Sequence, residues 1–288
     1  MAARVEPVVS RYACWPGSDG WLLLDNAGSY QGWFDWLPLK LRTGPWHWSA
    51  FAFIVGFYVS LFMLRPPLEF PVTAVAAFSP WWYADVCVAI YSVVVMVVSW
   101  SRYGGPWPYL MSYTGWSWCL LTARAACTSA GSLHGALGVG ARLAHLGSAL
   151  RFPAICGAVI TFTLWNAVLL PLVLYNLPSD GDESKPLTNR KGFLRFNFSF
   201  FMTNVHVANL PLAALNVAYG EGARPFGWAD LWAAYAVMSG YAIVYVFVLD
   251  RYGMHFYPMF SPRTPLCVLS YSLLISMYYL LWKTMAAV

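Results

Sequence analysis

Seven stretches of the chain run in nearly unbroken apolar residues, at 46–64, 84–100, 107–127, 153–175, 196–219, 228–249 and 265–282. A helix needs about 20 such residues to cross the hydrocarbon of a bilayer, fewer where interfacial aromatics complete the span. Backbone polar groups find no water there, so only helices and closed barrels cross it, and continuous apolar runs lack the alternation of barrel strands. The pattern predicts an all-α fold, a polytopic transmembrane helical bundle of about seven spans. Residues 1–45 are more mixed, with Asp19, Asp25 and Asp35 among glycines and tryptophans, and read as an extramembrane or interfacial segment ahead of a transmembrane helical domain at 46–288. Between the third and fourth spans, 132–151 is rich in Gly, Ala and Leu and carries His134, Arg142 and His145, the pattern of a short amphipathic or re-entrant piece. The stretch 179–191 reads as a solvated loop.

Composition agrees with this pattern. Hydrophobic residues make up 59% of the chain and charged ones 10%, against about 25% charged in soluble domains. Membrane lipids are therefore the expected partners. The net charge of +5 is scattered, with no basic run longer than Arg190-Lys191, which argues against a nucleic-acid partner. The excess of Lys and Arg on the N-terminal side favours that end inside. The six cysteines form no CxxC pair and no histidines stand at HxxxH or HxxH spacing, so neither a metal nor a cofactor is expected. Met1 to Trp15 lacks the long apolar run of a cleaved secretory signal. Arg4 and Arg11 fit a mitochondrial address, which Glu6 opposes.

Polar groups inside the spans carry the candidate chemistry, because each needs a partner in hydrocarbon. In the fifth span Ser199, Thr203, His206, Asn209 and Asn216 recur at helical spacing along one face. In the third, Thr114, Ser117, Arg124 and Thr128 do the same, with Arg124 either snorkelling or pairing within the bundle. The two spans run in the same direction, which sets Thr114 and His206 at similar depth, on the order of 10–13 Å below one surface. Asn166 of the fourth span falls close to that level. A hydroxyl beside a neutral imidazole permits acyl transfer, in which the ring takes the proton of the attacking oxygen. Asn166, Asn209, Thr203 and Ser117 are then candidates for binding substrate, and the Asn amides for orienting the ring or donating to a developing oxyanion. Asp85, at the opposite end of its span from Thr114, reads as an interfacial cap. Asp250, Arg251 and His255 read as a solvated or headgroup-facing cluster.

The same residues carry a resemblance. Asn204 to Pro211, with His206 five residues before the proline, resembles the His-x-x-x-x-Pro element of the androgen-induced and androgen-dependent TFPI-regulating membrane proteins and their rolling-stone-like relatives. Gly240-Tyr241 followed by Gly253-Met254 and Tyr257-Pro258 is similar to that family's Gly-Tyr … Gly-Met-x-x-Tyr-Pro stretch. Gly104-Gly105, Trp107 and Tyr113-Thr114-Gly115-Trp116 resemble its Gly-Gly-x-Trp … Thr region. The likeness runs from about Ala84 to the C-terminus, a six-helix core to which the first span is an addition. It implies an intramembrane threonine hydrolase of esters between fatty acids and hydroxy fatty acids, with Thr114 as nucleophile and His206 as general base. It implies an endomembrane or plasma-membrane location; the mitochondrial inner membrane is the alternative. In this chain Met111 holds the family's unshifted nucleophile position, and Asn216 stands where the family has an acidic residue.

Two other classes compete. One is a non-catalytic structural or accessory subunit of a larger membrane complex, with the extra first span and the Trp-rich 1–45 segment docking on protein partners. The other, a transporter or channel, needs a continuous polar path that two stripes in one half of the bilayer do not supply.

Overall fold

The computed structural model describes residues 46–72, 76–103, 111–133, 138–177, 179, 189–219, 224–249, 257, 260–262 and 265–287. The 1–45 segment, the Gly104–Trp107 motif, His134, most of the 179–191 loop and the Asp250, Arg251 and His255 cluster lie outside them. All regular structure among the described residues is helical. In chain order the helices are α1 (Trp48–Met63), α2 (Pro80–Tyr103), α3 (Tyr113–Leu133), α4 (Gly138–Ala149), α5 (Arg151–Thr163), α6 (Leu170–Asn176), α7 (Arg190–Asn197), α8 (Phe200–Thr203), α9 (Asn209–Tyr219), α10 (Trp228–Val244) and α11 (Leu266–Ala286). Three π-helical segments interrupt them: Leu164–Leu169 between α5 and α6, Asn204–Ala208 between α8 and α9, and Tyr245–Leu249 after α10.

Four helical stretches are long and apolar enough to cross a membrane: Pro80–Ser101, Val139–Tyr175, Trp228–Leu249 and Leu266–Ala286. A fifth arises if Arg190–Asn197 and Phe200–Val217, bent by 62° to one another, form one span. These helices fit a multi-pass membrane protein. Of the other two apolar runs, α1 is a shorter helix of 16 residues. The second, α3, is long enough but is diluted by its own Thr, Ser, Gly and Arg residues. The described residues of the 132–151 region from Val139 onward do not form a separate re-entrant piece. From Val139 the chain runs as one 37-residue helical stretch to Tyr175, which makes α4 an extension of the fourth span.

The reason lies in how α3 packs on that stretch. A methyl added at Gly131 would meet the backbone nitrogen of Ala144 at 2.8 Å, one at Gly147 would meet Thr128 Oγ1 at 2.8 Å, and one at Gly157 would meet Ser117 Oγ at 2.9 Å. At each glycine the neighbouring helix comes closer than an added methyl would fit without a shift. In lipid, where no hydrophobic force drives helices together, such small-residue seams supply the close packing that holds them. The seam is antiparallel: each step back along α3 is matched by a similar step forward along α4 and α5.

The chain divides into two compact units. The larger, Met63–Met238 with Ile275–Val288, contains this seam. Its core includes fully buried Val95, Trp118 and Val205, with Met96, Trp100, Phe201 and Leu212 packed around them, so that α2, α3, α8, α9 and the intervening π turn share one centre. Trp118 Nε1 donates to the Ser92 carbonyl at 3.1 Å and Trp82 Nε1 to that of Ser129 at 2.9 Å, fastening α2 to α3. The smaller unit, Met1–Phe62 with Ser239–Leu274, contains α1. There His47 N donates to the Pro262 carbonyl at 2.7 Å and the Tyr58 hydroxyl to that of Ser239 at 3.3 Å.

A candidate Thr–His site between two π turns

Two of the π segments lie just ahead of a proline. Pro171 and Pro211 have no N–H, and each ring crowds the carbonyl four residues earlier, those of Ala167 and Val207. Both carbonyls fall inside the widened turns. Widening the helix is one way to absorb that conflict, and such π bulges gather at functional sites. One turn carries Trp165 and Asn166; the other carries His206.

The two turns are cross-linked. The Trp165 and His206 rings stack at 4.1 Å with an interplanar angle of 17°. Asn166 Nδ2 donates to the Phe162 carbonyl at 2.8 Å and to that of His206 at 3.0 Å. The His206 carbonyl needs this help, since the π-helical donor five residues on is Pro211. Trp165 Nε1 in turn donates to Asn197 Oδ1 at 2.7 Å. His206 is thereby held through both its ring face and its backbone.

Thr114 Oγ1 lies 3.3 Å from His206 Nε2. The other ring nitrogen, Nδ1, lies 3.2 Å from the Met202 carbonyl. A carbonyl only accepts, so that contact places the ring hydrogen on Nδ1 and leaves the Nε2 lone pair facing the threonine hydroxyl. The pair is thus arranged with oxygen as donor and imidazole as acceptor, the direction in which general-base activation runs. Thr114 is 9% exposed and His206 6%, so both are buried yet keep a small accessible edge.

One turn deeper, Asn209 Nδ2 donates to Ser117 Oγ at 3.0 Å and reaches the Val205 carbonyl at 3.5 Å. Both residues are fully buried. The bond ties α3 to α9 directly beneath the Thr114–His206 contact and so fixes the spacing of the pair. The other two candidates stand differently. Asn166 reaches the backbone of His206 rather than its ring, and its amide hydrogens are committed to carbonyls. Thr203 is half-buried one turn before His206, and its hydroxyl joins neither member of the pair.

A second polar network lies at the other end of the stripes. Arg124, fully buried, donates through Nε to Asn216 Oδ1 at 2.5 Å and through Nη1 to the Gly147 carbonyl at 3.0 Å. Asn216 Nδ2 donates to Asp85 Oδ1 at 2.6 Å. Arg124 pairs inside the bundle rather than snorkelling. Asp85 is not an interfacial cap: it is 1% exposed, because α2 begins at Pro80 and Asp85 falls in its second turn, facing inward. Asn216 belongs to this network and not to the Thr–His pair.

Among the described residues no three His, Cys, Asp or Glu side chains converge as a metal site would require. Cys156 and Cys267 are buried, Cys119 and Cys127 half-buried and Cys87 exposed, all as free thiols. Trp165 was not anticipated by the spacing of polar residues. Its signal was the repetition of one device, a polar residue five positions before a proline, at Asn166–Pro171 and at His206–Pro211. Comparison of the chain with protein families, characterised proteins and solved structures finds no match.

Proposed function

We propose that this protein is an intramembrane hydrolase of lipid esters, of the kind its motifs resemble, with Thr114 as nucleophile and His206 as general base. The observation that carries the reading is the 3.3 Å approach of Thr114 Oγ1 to a His206 Nε2 whose partner nitrogen is held on the Met202 carbonyl. A threonine placed only to satisfy its own hydrogen bond needs no imidazole; the carbonyl four residues back serves, as it does for Thr122 and Thr128.

In the first half-reaction Nε2 takes the hydroxyl proton as Oγ1 attacks the ester carbonyl carbon. The tetrahedral adduct collapses, the proton passes to the departing alcohol oxygen, and the acyl group remains on Thr114. Water then attacks the acyl-threonine, giving its proton to the same nitrogen, and the adduct collapses to a free fatty acid and restored hydroxyl. Burial in a largely apolar surround suits an acyl substrate drawn from the membrane, with few polar groups to orient it.

The reading takes all seven apolar segments as spans. At 1.5 Å per residue α1 reaches about 24 Å, enough for hydrocarbon when its flanking tryptophans complete the crossing. The membrane is an endomembrane or the plasma membrane on the family likeness.

The test is turnover of a fatty-acid ester of a hydroxy fatty acid by the purified full-length protein in detergent micelles. Wild type should release both acids, and Thr114→Ala and His206→Ala should each lose at least ~10³-fold of that rate. Equal rates in all three would refute the mechanism and leave a non-catalytic subunit as the reading to pursue.

A further inference from the structure

Along α5 and into the π turn that follows it, Gly157, Thr161 and Trp165 follow one another at four-residue steps. The two ends of this row are fixed by contact. Gly157 abuts Ser117 of α3, close enough that an added methyl would sit 2.9 Å from Ser117 Oγ. Trp165 stacks on His206 at 4.1 Å. Thr161 lies between them. The antiparallel seam gives the same answer from the other helix: Gly131 meets Ala144, Thr128 meets Gly147 and Ser117 meets Gly157. One turn back from Ser117, Thr114 falls at the level of Thr161.

Among the described residues three buried hydroxyls, those of Ser92, Thr161 and Ser239, have no hydrogen-bond partner, and of these only Thr161 lies on the stretch that runs from the Ser117 contact to the His206 ring. The residue is 4% exposed, and its Oγ1 is wholly buried with no hydrogen-bond partner. A threonine or serine within a helix ordinarily donates to the carbonyl four residues back. Thr122, Thr128, Ser99, Ser129 and Ser132 all do so here, at 2.6–3.0 Å. Thr161 does not, although the same acceptor type is available to it. A buried hydroxyl left without a partner is destabilising, and a place at the level of the Thr114–His206 pair would give it a use.

We infer that Thr161 is a third catalytic group, the hydrogen-bond donor that meets the ester carbonyl oxygen as it gains negative charge in the tetrahedral adduct. The inference rests on the ester-hydrolysis reading above. Such a donor acts on charge that exists only in the transition state, so it raises turnover rather than substrate affinity. No bond to Thr161 forms or breaks, and its proton stays with it throughout.

The experiment compares Thr161→Val and Thr161→Ser with wild type and Thr114→Ala, in full-length protein, with p-nitrophenyl decanoate and with a hydroxy-fatty-acid ester. Valine replaces the unpartnered hydroxyl by a methyl of nearly the same shape, so the thermal unfolding midpoint should hold or rise. Its kcat should fall about 10²-fold with KM changed less than about threefold. Serine keeps the donor and should stay within about fivefold of wild type. An active wild type whose Thr161→Val variant retains its kcat overturns this assignment alone. A Thr161→Val variant that loses its unfolding midpoint together with its activity, without rescue by serine, also overturns it, in favour of a packing role. A wild type with no ester hydrolysis at all overturns the hydrolase reading and this inference with it.

Discussion

Replacing Gly157 by alanine is a measurement of the seam that holds the site. The new Cβ would stand 2.9 Å from Ser117 Oγ, 3.2 Å from Ser117 Cβ and 3.5 Å from its Cα. Rotation of the serine hydroxyl relieves the first contact but not the second, since Cβ moves only with the backbone. Comfortable carbon–carbon contact begins near 3.5 Å, so α3 and α5 must part by a few tenths of an ångström or more. Overpacking of this kind costs about 1–3 kcal/mol, while removing a helix glycine returns about 1 kcal/mol. Gly157→Ala should therefore come out between neutral and about 2 kcal/mol less stable. Gly56 supplies the control, because a methyl there meets nothing within 4 Å and Gly56→Ala should gain most of that 1 kcal/mol. The second expected effect is on chemistry. Ser117 is one turn from Thr114 and is bonded to Asn209, one turn from His206, so parting the helices also parts the pair. A displacement approaching 1 Å costs about 10²-fold in rate; the smaller shift here should cost about tenfold. The assay is unfolding in detergent, followed by the fluorescence of the chain's tryptophans, together with ester turnover. Adding Ser117→Gly removes the obstructing Cβ, so the double variant should fall short of the sum of the two single losses by at least half of the Gly157→Ala loss, a coupling read from the double-mutant cycle. If Gly157→Ala gains stability as Gly56→Ala does, and the cycle shows no coupling, the seam as described is wrong.

Two further outcomes follow from the buried networks. Asn216→Leu strips an acceptor from buried Arg124 and a donor from buried Asp85 at once, and should destabilise the protein by about 3–5 kcal/mol, seen as a lower unfolding midpoint with the Thr114–His206 chemistry lost only when the bundle opens. Asp230 holds Arg224 by two bonds, Oδ2 to Nη1 at 2.8 Å and Oδ1 to Nη2 at 2.7 Å, with Oδ2 also accepting from Gly227 N at the start of α10; Asp230→Asn breaks this fork at a site only 2% exposed on the acid side and should cost about 3 kcal/mol, with little relief or worsening between low and high salt because ions do not reach the pair.

How much of this was legible in the sequence depends on what each inference needed. Depth and direction follow from the order of the apolar runs and the helical rise and set Thr114 and His206 at one level, but two helices at one level can face apart, and only the structure turns the hydroxyl toward the ring. The neighbours that hold the ring needed local geometry. Counting positions at 100° per residue assumes an undisturbed helix, and the turns around Trp165 and His206 are widened ahead of Pro171 and Pro211. The rotation brings Trp165, an apolar position in that count, onto the histidine ring, and sends the Asn166 amide to backbone. Asp85 differs for a simpler reason: the apolar run begins at Ala84, whereas the helix begins at Pro80, and one added turn moves a carboxylate from the interface to the interior.

The third helix shows why hydropathy and function pull apart in such a protein. α3 is less apolar than the four helical stretches long and apolar enough to cross a membrane, because it carries Thr114, Ser117, Thr122, Arg124 and Thr128 among its buried residues. Each would be costly in hydrocarbon if left alone. Each is instead satisfied, by His206, by Asn209, by the Trp118 carbonyl, by Asn216 and Gly147, and by the Arg124 carbonyl in turn. The glycines of the seam bring α4 and α5 close, and Asn209 and Asn216 present amides from α9 at two levels. A helix surrounded in this way has no need of lipid-like side chains, since protein rather than lipid is its solvent. The polarity that makes α3 less apolar than a usual span is therefore the same property that lets it carry the Thr114 hydroxyl to His206.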